Sequence, residues 1–99
     1  MDDPGYYQGM ALLFEWDAAK ARKNIQKHRV SFEEATSIFG DPAAVTIESP
    51  FLGGEYRFVT IGYSSTGRLL VVAHTDRNDR IRMISVRKAT KKERQQYEQ

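Results

Sequence analysis

Positive charge accumulates near the end of the chain, in the strand-like segment RIRMISVRK. Arg80 and Arg82 lie two residues apart at its start, and Arg87 and Lys88 stand at its end. Alternate residues of a strand share one face, so this segment presents several cations at one end of a small protein. The planar fork of arginine grips two phosphate oxygens at once. The pattern therefore predicts either a solvated edge or a site for a polyanion.

Other polar residues supply the remaining parts of a site that could cleave RNA without a metal. Attack by the RNA 2′-hydroxyl needs a base for its proton, an acid for the departing 5′-oxygen and cations for the charge on phosphorus. Glu55 and His74 are candidate bases, and Lys27 or an arginine is a candidate acid or charge stabiliser. Glu55 and Arg57 project from one face because they lie two residues apart on a predicted strand.

Each of these residues also has a purely structural interpretation. Glu55 and Arg57 can form a surface ion pair worth about 0–1 kcal/mol. His74 can be a half-buried strand histidine. Lys27 and His28 fall at the end of a predicted helix, where cations complement the helix dipole. The residues alone leave both interpretations open.

The separation of Arg82 and Arg87 raises a question of register. Five residues of a regular strand place them on opposite faces. A β-bulge near Ser85, or fraying after Val86, is needed to bring them together. A shared site for these two arginines therefore requires an irregular last strand.

Charge is divided unevenly along the chain. Residues 1–56 hold five Lys/Arg and nine Asp/Glu, a net of −4, whereas residues 57–99 hold ten and four, a net of +6. Such a division indicates a nucleic acid or an acidic protein as partner. The chain has no cysteine and two histidines, and neither histidine has a second ligand at metal-binding spacing. The sequence predicts no metal site and no cofactor.

Helix and strand signals predict an α+β domain with the order β-α-α-β-β-β-β-α. Asp17 is a predicted helix N-cap, and the pairs Ser31/Glu34 and Thr90/Glu93 have capping-box spacing. After Pro42 the apolar pattern changes to period two, which predicts four hairpin-linked strands. The branched run RLLVVAHT is the predicted central strand. An antiparallel sheet of this kind packs one face against helices and leaves the other available.

The first eleven residues lack this periodicity. Residues 1–11 are predicted to be a flexible leader, and residues 12–99 a single domain. No apolar run reaches the roughly 20 residues that span a bilayer, and the N-terminus lacks a signal-peptide pattern. Together with the missing cysteines, this predicts a cytoplasmic protein without a membrane partner.

In three segments the sequence resembles the BrnT toxins of bacterial type II toxin–antitoxin systems. They are FEWDAAKARKNIQKHRVSFEEA, GEYRFVTIG and RIRMISVRKATKKERQQYE, in the family's order and over about residues 14–98. Two departures are Arg29, where a glycine is usual after the K-H pair, and Val86, where alanine is usual.

The resemblance implies a fold similar to RelE-type ribonucleases and an RNA-cleaving activity that arrests translation and growth. It also implies a partner, the BrnA antitoxin, which blocks the toxin, binds DNA and represses its own operon, so that operator DNA is reached only through the antitoxin. The family's polar positions carry over to the residues Lys27, His28, Glu55, Arg57, Arg77, Arg82, Ser85 and Arg87.

Three hypotheses follow for the function. In the first, the chain cleaves RNA whose backbone is held beside Glu55 and Arg57 by four cations, Arg80, Arg82, Arg87 and Lys88. In the second, a non-catalytic module uses the basic face to hold RNA, DNA or a protein partner. The third, a purely structural domain, predicts no salt-dependent binding of RNA. Cleavage separates the first hypothesis from the second.

Overall fold

Alternating apolar segments after residue 44 form most of a five-stranded sheet. The computed structural model describes residues 6–7, 10–49 and 56–99. Its elements in chain order are β1 Tyr6–Tyr7, β2 Met10–Ala11, β3 Leu13–Glu15, α1 Ala18–His28, α2 Phe32–Thr36, a 3-10 helix Ser37–Gly40, β4 Val45–Ser49, β5 Arg57–Tyr63, β6 Leu69–Arg77, β7 Arg80–Lys88 and α3 Lys91–Tyr97. The sheet has the strand order β3-β7-β6-β5-β4.

The α+β class and the element order predicted for the domain are confirmed, and β6 is the central strand as its branched residues indicated. One strand differs from the predicted antiparallel sheet, because β3 runs parallel to β7. Periodicity reports which residues face the core but not strand direction, and a parallel pair needs a long crossover rather than a hairpin. Within the predicted leader, β1 and β2 pair with each other; its flexibility stays a prediction.

The core lies between the sheet and the two N-terminal helices. Apolar side chains of the segment from residue 30 to residue 38 pack on the inner residues of β6 and β7. The buried cluster consists of Val30, Phe32, Ala35, Ile38, Leu70, Val72, Met83 and Val86. We call this side of the sheet the core face. No helix in the described ranges is long and apolar enough to cross a membrane.

The side chain of Asn24 joins helix α1 to the sheet by hydrogen bonds. β3 covers β7 only from Arg80 to Arg82, so the backbone of β7 beyond that point lacks a strand neighbour on this side. Asn24 takes its place: Nδ2 donates to the Val86 carbonyl at 2.9 Å, and Oδ1 accepts from the Val86 N–H at 3.1 Å. Nδ2 also donates to the Val30 carbonyl at 3.0 Å. The carboxamide therefore joins α1, the next turn and β7.

The turn between α1 and α2 contains Arg29, one of the two residues that depart from the family pattern. Arg29 has a φ of 61°, which lies in the left-handed region of backbone conformation. A non-glycine residue costs about 1 kcal/mol there. The Ser31 hydroxyl caps α2 by accepting from the Glu34 N–H at 3.0 Å. The return half of the predicted capping box is missing, because the Glu34 carboxylate binds Arg68 instead.

Replacing Asn24 with alanine should destabilise the fold by about 2–4 kcal/mol. The substitution leaves the Val86 N–H and two carbonyls buried without their partner, and each unsatisfied group costs about 1–3 kcal/mol. Urea unfolding followed by circular dichroism measures the loss. Gln26→Ala, at an exposed position of the same helix, is the control and should change stability by less than about 0.5 kcal/mol. Equal stability of the two variants would contradict the role given to Asn24.

Candidate functional site

A β-bulge in β7 decides which side chains share a face of the sheet. Ala73 pairs with Ser85, but the next residue of β6, His74, pairs with Met83. Ile84 is therefore an extra residue in β7, and the alternation of side chains shifts by one position. Arg82 and Arg87 consequently lie on the same face, opposite Met83 and Val86. The irregularity that the sequence required near Ser85 is present.

Side chains on this second face, which we call the arginine face, form three rows across the strands. Strand registers place Arg57, Arg82 and Arg87 on it, at three corners of a patch. With strands about 4.8 Å apart and about 3.3 Å per residue, the patch measures roughly 10 Å by 13 Å. Two rows run from β4 to β7: Val45, Ile61, Val71 and Arg87; then Ile47, Val59, Ala73 and Ser85. In the third row Ser49 pairs with Arg57 and Thr75 pairs with Arg82, and alternation along β5 and β6 places both pairs on this face.

Carboxylates hold the corner arginines Arg82 and Arg87 in place. Arg82 donates from Nη1 to Glu15 on β3 at 3.1 Å. Arg87 binds Glu93 of α3 with both ends of its guanidinium, at 2.7 and 2.9 Å. This pairing raises the pKa of Arg87 and lowers the pKa of Glu93 to about 2. Both guanidinium groups are thereby held over the arginine face.

The remaining predicted RNA-binding residues are arranged around these corners. Arg77 and Arg80 pair across the β6–β7 hairpin and are exposed. By alternation with Arg82, both lie on the arginine face at its hairpin end. Ser85 is exposed between the rows of Arg82 and Arg87. Lys88 follows Arg87, so it belongs to the other side of β7 at the strand's end. Of the cations predicted on this strand, Lys88 is the one that does not lie on the arginine face.

His74 is separated from the arginines by the sheet itself. It is 4% exposed and lies on the core face with Phe39 and Phe58, at ring-centroid distances of 5.1 and 5.8 Å. Its Nε2 lies 2.8 Å from the Thr60 hydroxyl. Burial lowers its pKa, and the charge of Asp76 opposes this shift. The structural interpretation of this histidine fits its surroundings better than the catalytic one.

The other predicted catalytic residues are not joined to the arginines by contacts that the structure describes. Lys27 and His28 occupy the last turn of α1, one turn beyond Asn24. Within the described ranges, neither side chain makes a hydrogen bond or ion pair with Arg82 or Arg87. Glu55 lies outside the described residues, so its placement stays a prediction.

Sequence reasoning missed three residues of the arginine face. Glu93 was identified only as the partner of Thr90 in a capping box, which the structure confirms; its bond to Arg87 is a second role. Glu15 meets Arg82 only because β3 is the parallel neighbour of β7. Thr75 is 2% exposed, and its hydroxyl has no hydrogen-bond partner among the described residues. In the same ranges, no three His, Cys, Asp or Glu side chains form a group that could hold a metal ion.

Comparison with known proteins identifies the family. Residues 16–93 match the family model described as the ribonuclease toxin, BrnT, of type II toxin–antitoxin systems. The chain belongs to the BrnT family. Its fold is similar to the 1.1 Å crystal structure of the Brucella abortus ribonuclease toxin BrnT, with a TM-score of 0.61, 20% sequence identity and coverage of 81% of this chain and 99% of that one. No curated protein matches the sequence.

Membership of the BrnT family gives the arginine face a context. A family of ribonuclease toxins in type II toxin–antitoxin systems implies an RNA substrate and an antitoxin partner. The matched residues 16–93 include Arg57, Arg82, Arg87 and Glu93. The two departures of this BrnT chain do not disturb these residues, since Arg29 adopts the left-handed turn and Val86 is buried in the core.

The position of His74 predicts how stability depends on pH. Its folded pKa is below the ordinary value of 6.5, so the neutral imidazole is favoured in the folded state. Stability should be highest above about pH 6.5 and should fall as pH drops below that value toward the folded pKa. Urea unfolding at a series of pH values from 7.5 to 5 measures this. His74→Gln should flatten the profile, whereas His28→Gln should retain it; the reverse result would place the titrating histidine elsewhere.

Proposed function

We propose that the chain is a metal-independent endoribonuclease that binds and cleaves RNA on the arginine face. The observation that carries the proposal is the bulge at Ile84, which brings Arg82, Ser85 and Arg87 to one side of β7, on the same face of the sheet as Arg57 of β5. Membership of a ribonuclease toxin family supports the assignment of RNA as the polyanion. Cleavage of cellular RNA would arrest translation and growth.

The chemical contribution of the arginines is electrostatic. In attack by the 2′-hydroxyl, negative charge increases on the phosphoryl oxygens in the transition state, and fixed donors stabilise that charge without reorganising. Glu15 and Glu93 limit the rotation of Arg82 and Arg87 before RNA arrives. Glu15 takes one N–H of Arg82, and the five donors of a guanidinium leave others for phosphate.

Proton transfer requires further groups, and the sequence offers Glu55 as the base. It lies two residues before Arg57, and a strand that continued to it would place both on one face. His74 is not part of the proposed mechanism, because it lies on the core face. Glu93 is a poor base, since its pKa of about 2 keeps it unprotonated and bound to Arg87.

The proposal includes the regulation implied by the family. A DNA-binding antitoxin similar to BrnA neutralises the toxin in the cytoplasm, and operator DNA is contacted through the antitoxin alone. Blocking could occur by covering the arginine face or by neutralising its cations.

Removing the corner arginines should abolish most of the cleavage. Purified Arg57→Ala, Arg82→Ala and Arg87→Ala variants should each cleave a fluorescent RNA in EDTA at least about tenfold more slowly than the wild type. Arg22→Ala, which removes an exposed arginine of α1, is the control and should cleave normally. Equal rates in all five proteins would indicate a contaminating nuclease or another site. A folded wild type that binds RNA and leaves it intact would favour the binding module.

RNA binding should depend strongly on salt, whether or not cleavage follows. Each phosphate contact by a lysine or arginine releases counterions, at a slope of about −0.7 per contact for single strands in a log–log plot. Binding of a non-cleavable 2′-deoxy oligonucleotide, measured by fluorescence anisotropy from 50 to 300 mM salt, gives the slope. Arg82→Ala should reduce its size by about one contact, and Arg22→Ala should not. A slope near zero in the wild type would contradict a phosphate-binding face.

A further inference from the structure

An apolar groove lies beside the corner arginines on the same face of the sheet. Its volume is about 300 Å³. The floor consists of five β-branched residues from three strands, and Tyr97 of α3 closes one side. Those five residues are Val45, Ile47, Val59, Ile61 and Val71. The groove therefore occupies the β4–β6 part of the first two rows.

Two apolar residues of the groove are largely exposed to solvent. Val45 and Ile47 are 49% and 59% exposed, and both lie on the arginine face of the edge strand β4, where β5 is the neighbour on one side. A small domain gains by burying such residues, and a contiguous apolar surface of this kind marks an interaction site. An edge strand also offers unpaired backbone groups to a partner.

The groove is linked directly to the proposed RNA site. Arg87 pairs across the strands with Val71, so one row runs from the groove floor to a corner guanidinium. Glu93 lines the groove and binds Arg87 at the same time. A molecule seated in the groove would thus reach Arg87, and it would stand beside the path of any RNA on the arginine face.

We propose that the groove receives an amphipathic acidic segment of the antitoxin. Aliphatic side chains of that segment fill the groove, and one of its carboxylates binds Arg87 in the place of Glu93. The bond between Glu93 and Arg87 shows that a carboxylate fits there, and the net charge of +6 over residues 57–99 favours an acidic partner. The antitoxin then neutralises a corner arginine and covers the arginine face, so this inference rests on the proposed function.

Two other occupants fit the groove less well. Single-stranded RNA is held by bases that stack on aromatic rings, whereas the five floor residues are aliphatic. The ring of Tyr97 is fixed at the side by bonds from its hydroxyl to Asp41 and the Ala43 carbonyl. A second copy of this chain, packed groove to groove, would bring like-charged Arg87 residues toward each other. An amphipathic acidic segment complements both the apolar floor of the groove and the positive charge of Arg87.

The test compares two exposed isoleucines. Ile47→Asp places a charge in the groove, and Ile25→Asp, at a 44% exposed position of α1, is the matched control. By calorimetry with the purified cognate antitoxin, Ile47→Asp should bind at least about tenfold more weakly than the wild type, because burial of an isoleucine is lost. Ile25→Asp should bind within about threefold. If Ile47→Asp fails to fold, Ile47→Thr removes the apolar contact and keeps a β-branched residue.

Activity and oligomeric state separate the remaining outcomes. Without antitoxin, Ile47→Asp should cleave RNA at the wild-type rate; with antitoxin, it should resist inhibition. Unchanged antitoxin affinity would overturn the docking site, as would a wild-type dimer that Ile47→Asp converts to a monomer. Slower RNA cleavage by Ile47→Asp would assign the groove to RNA. A wild type that binds antitoxin through Ile47 but cleaves no RNA would leave the docking surface standing and overturn the proposed function.

Discussion

The contacts of Val86 fix the register of β7, and the rest of this structure depends on that register. On one side it pairs with Val72 of β6, and on the other Asn24 binds its N–H and its carbonyl. Its side chain is fully buried against the helices. The extra residue Ile84 precedes it by two positions, so these bonds hold the strand in its shifted register. Arg87 lies on the arginine face because Val86, the residue before it, is held facing the core.

Charge on the arginine face is balanced within the folded chain. Glu15 and Glu93 come from the first strand of the sheet and from the last helix, and each binds one arginine of β7. Partly exposed ion pairs of this kind add little to stability, but they restrict where the guanidinium groups lie. Phosphate must compete with or add to these carboxylates, which favours a polyanion with several phosphates over a single anion. A carboxylate from a partner protein can compete with Glu15 or Glu93 for an arginine in the same way.

The two faces of the sheet therefore differ in what they carry. The core face holds α1 and α2 and includes His74, whose ring packs between two phenylalanines. The arginine face carries the cations at one side and the apolar groove at the other, with Glu93 between them. An RNA substrate and an antitoxin are both implied by the family, and the sites proposed for them are neighbours on one face, so that binding of one would exclude the other.

Local signals in the sequence predicted most of the helices and strands and the caps of α1 and α3. Asp17 and Thr90 cap helices because their side chains bond to backbone groups three residues away, and such short-range bonds are visible as spacing. The branched run of β6 likewise predicted its central position.

Contacts between distant residues were decided only by the tertiary structure. The bond of Asn24 to Val86 spans 62 positions, and nothing in either segment specifies it. The parallel direction of β3, which brings Glu15 to Arg82, follows from the crossover and not from its own residues. The sequence by itself determined which side chains could carry charge toward a strand's end. The bulge at Ile84 decided on which face Arg87 would carry it, because a one-residue shift in register reverses every side chain that follows.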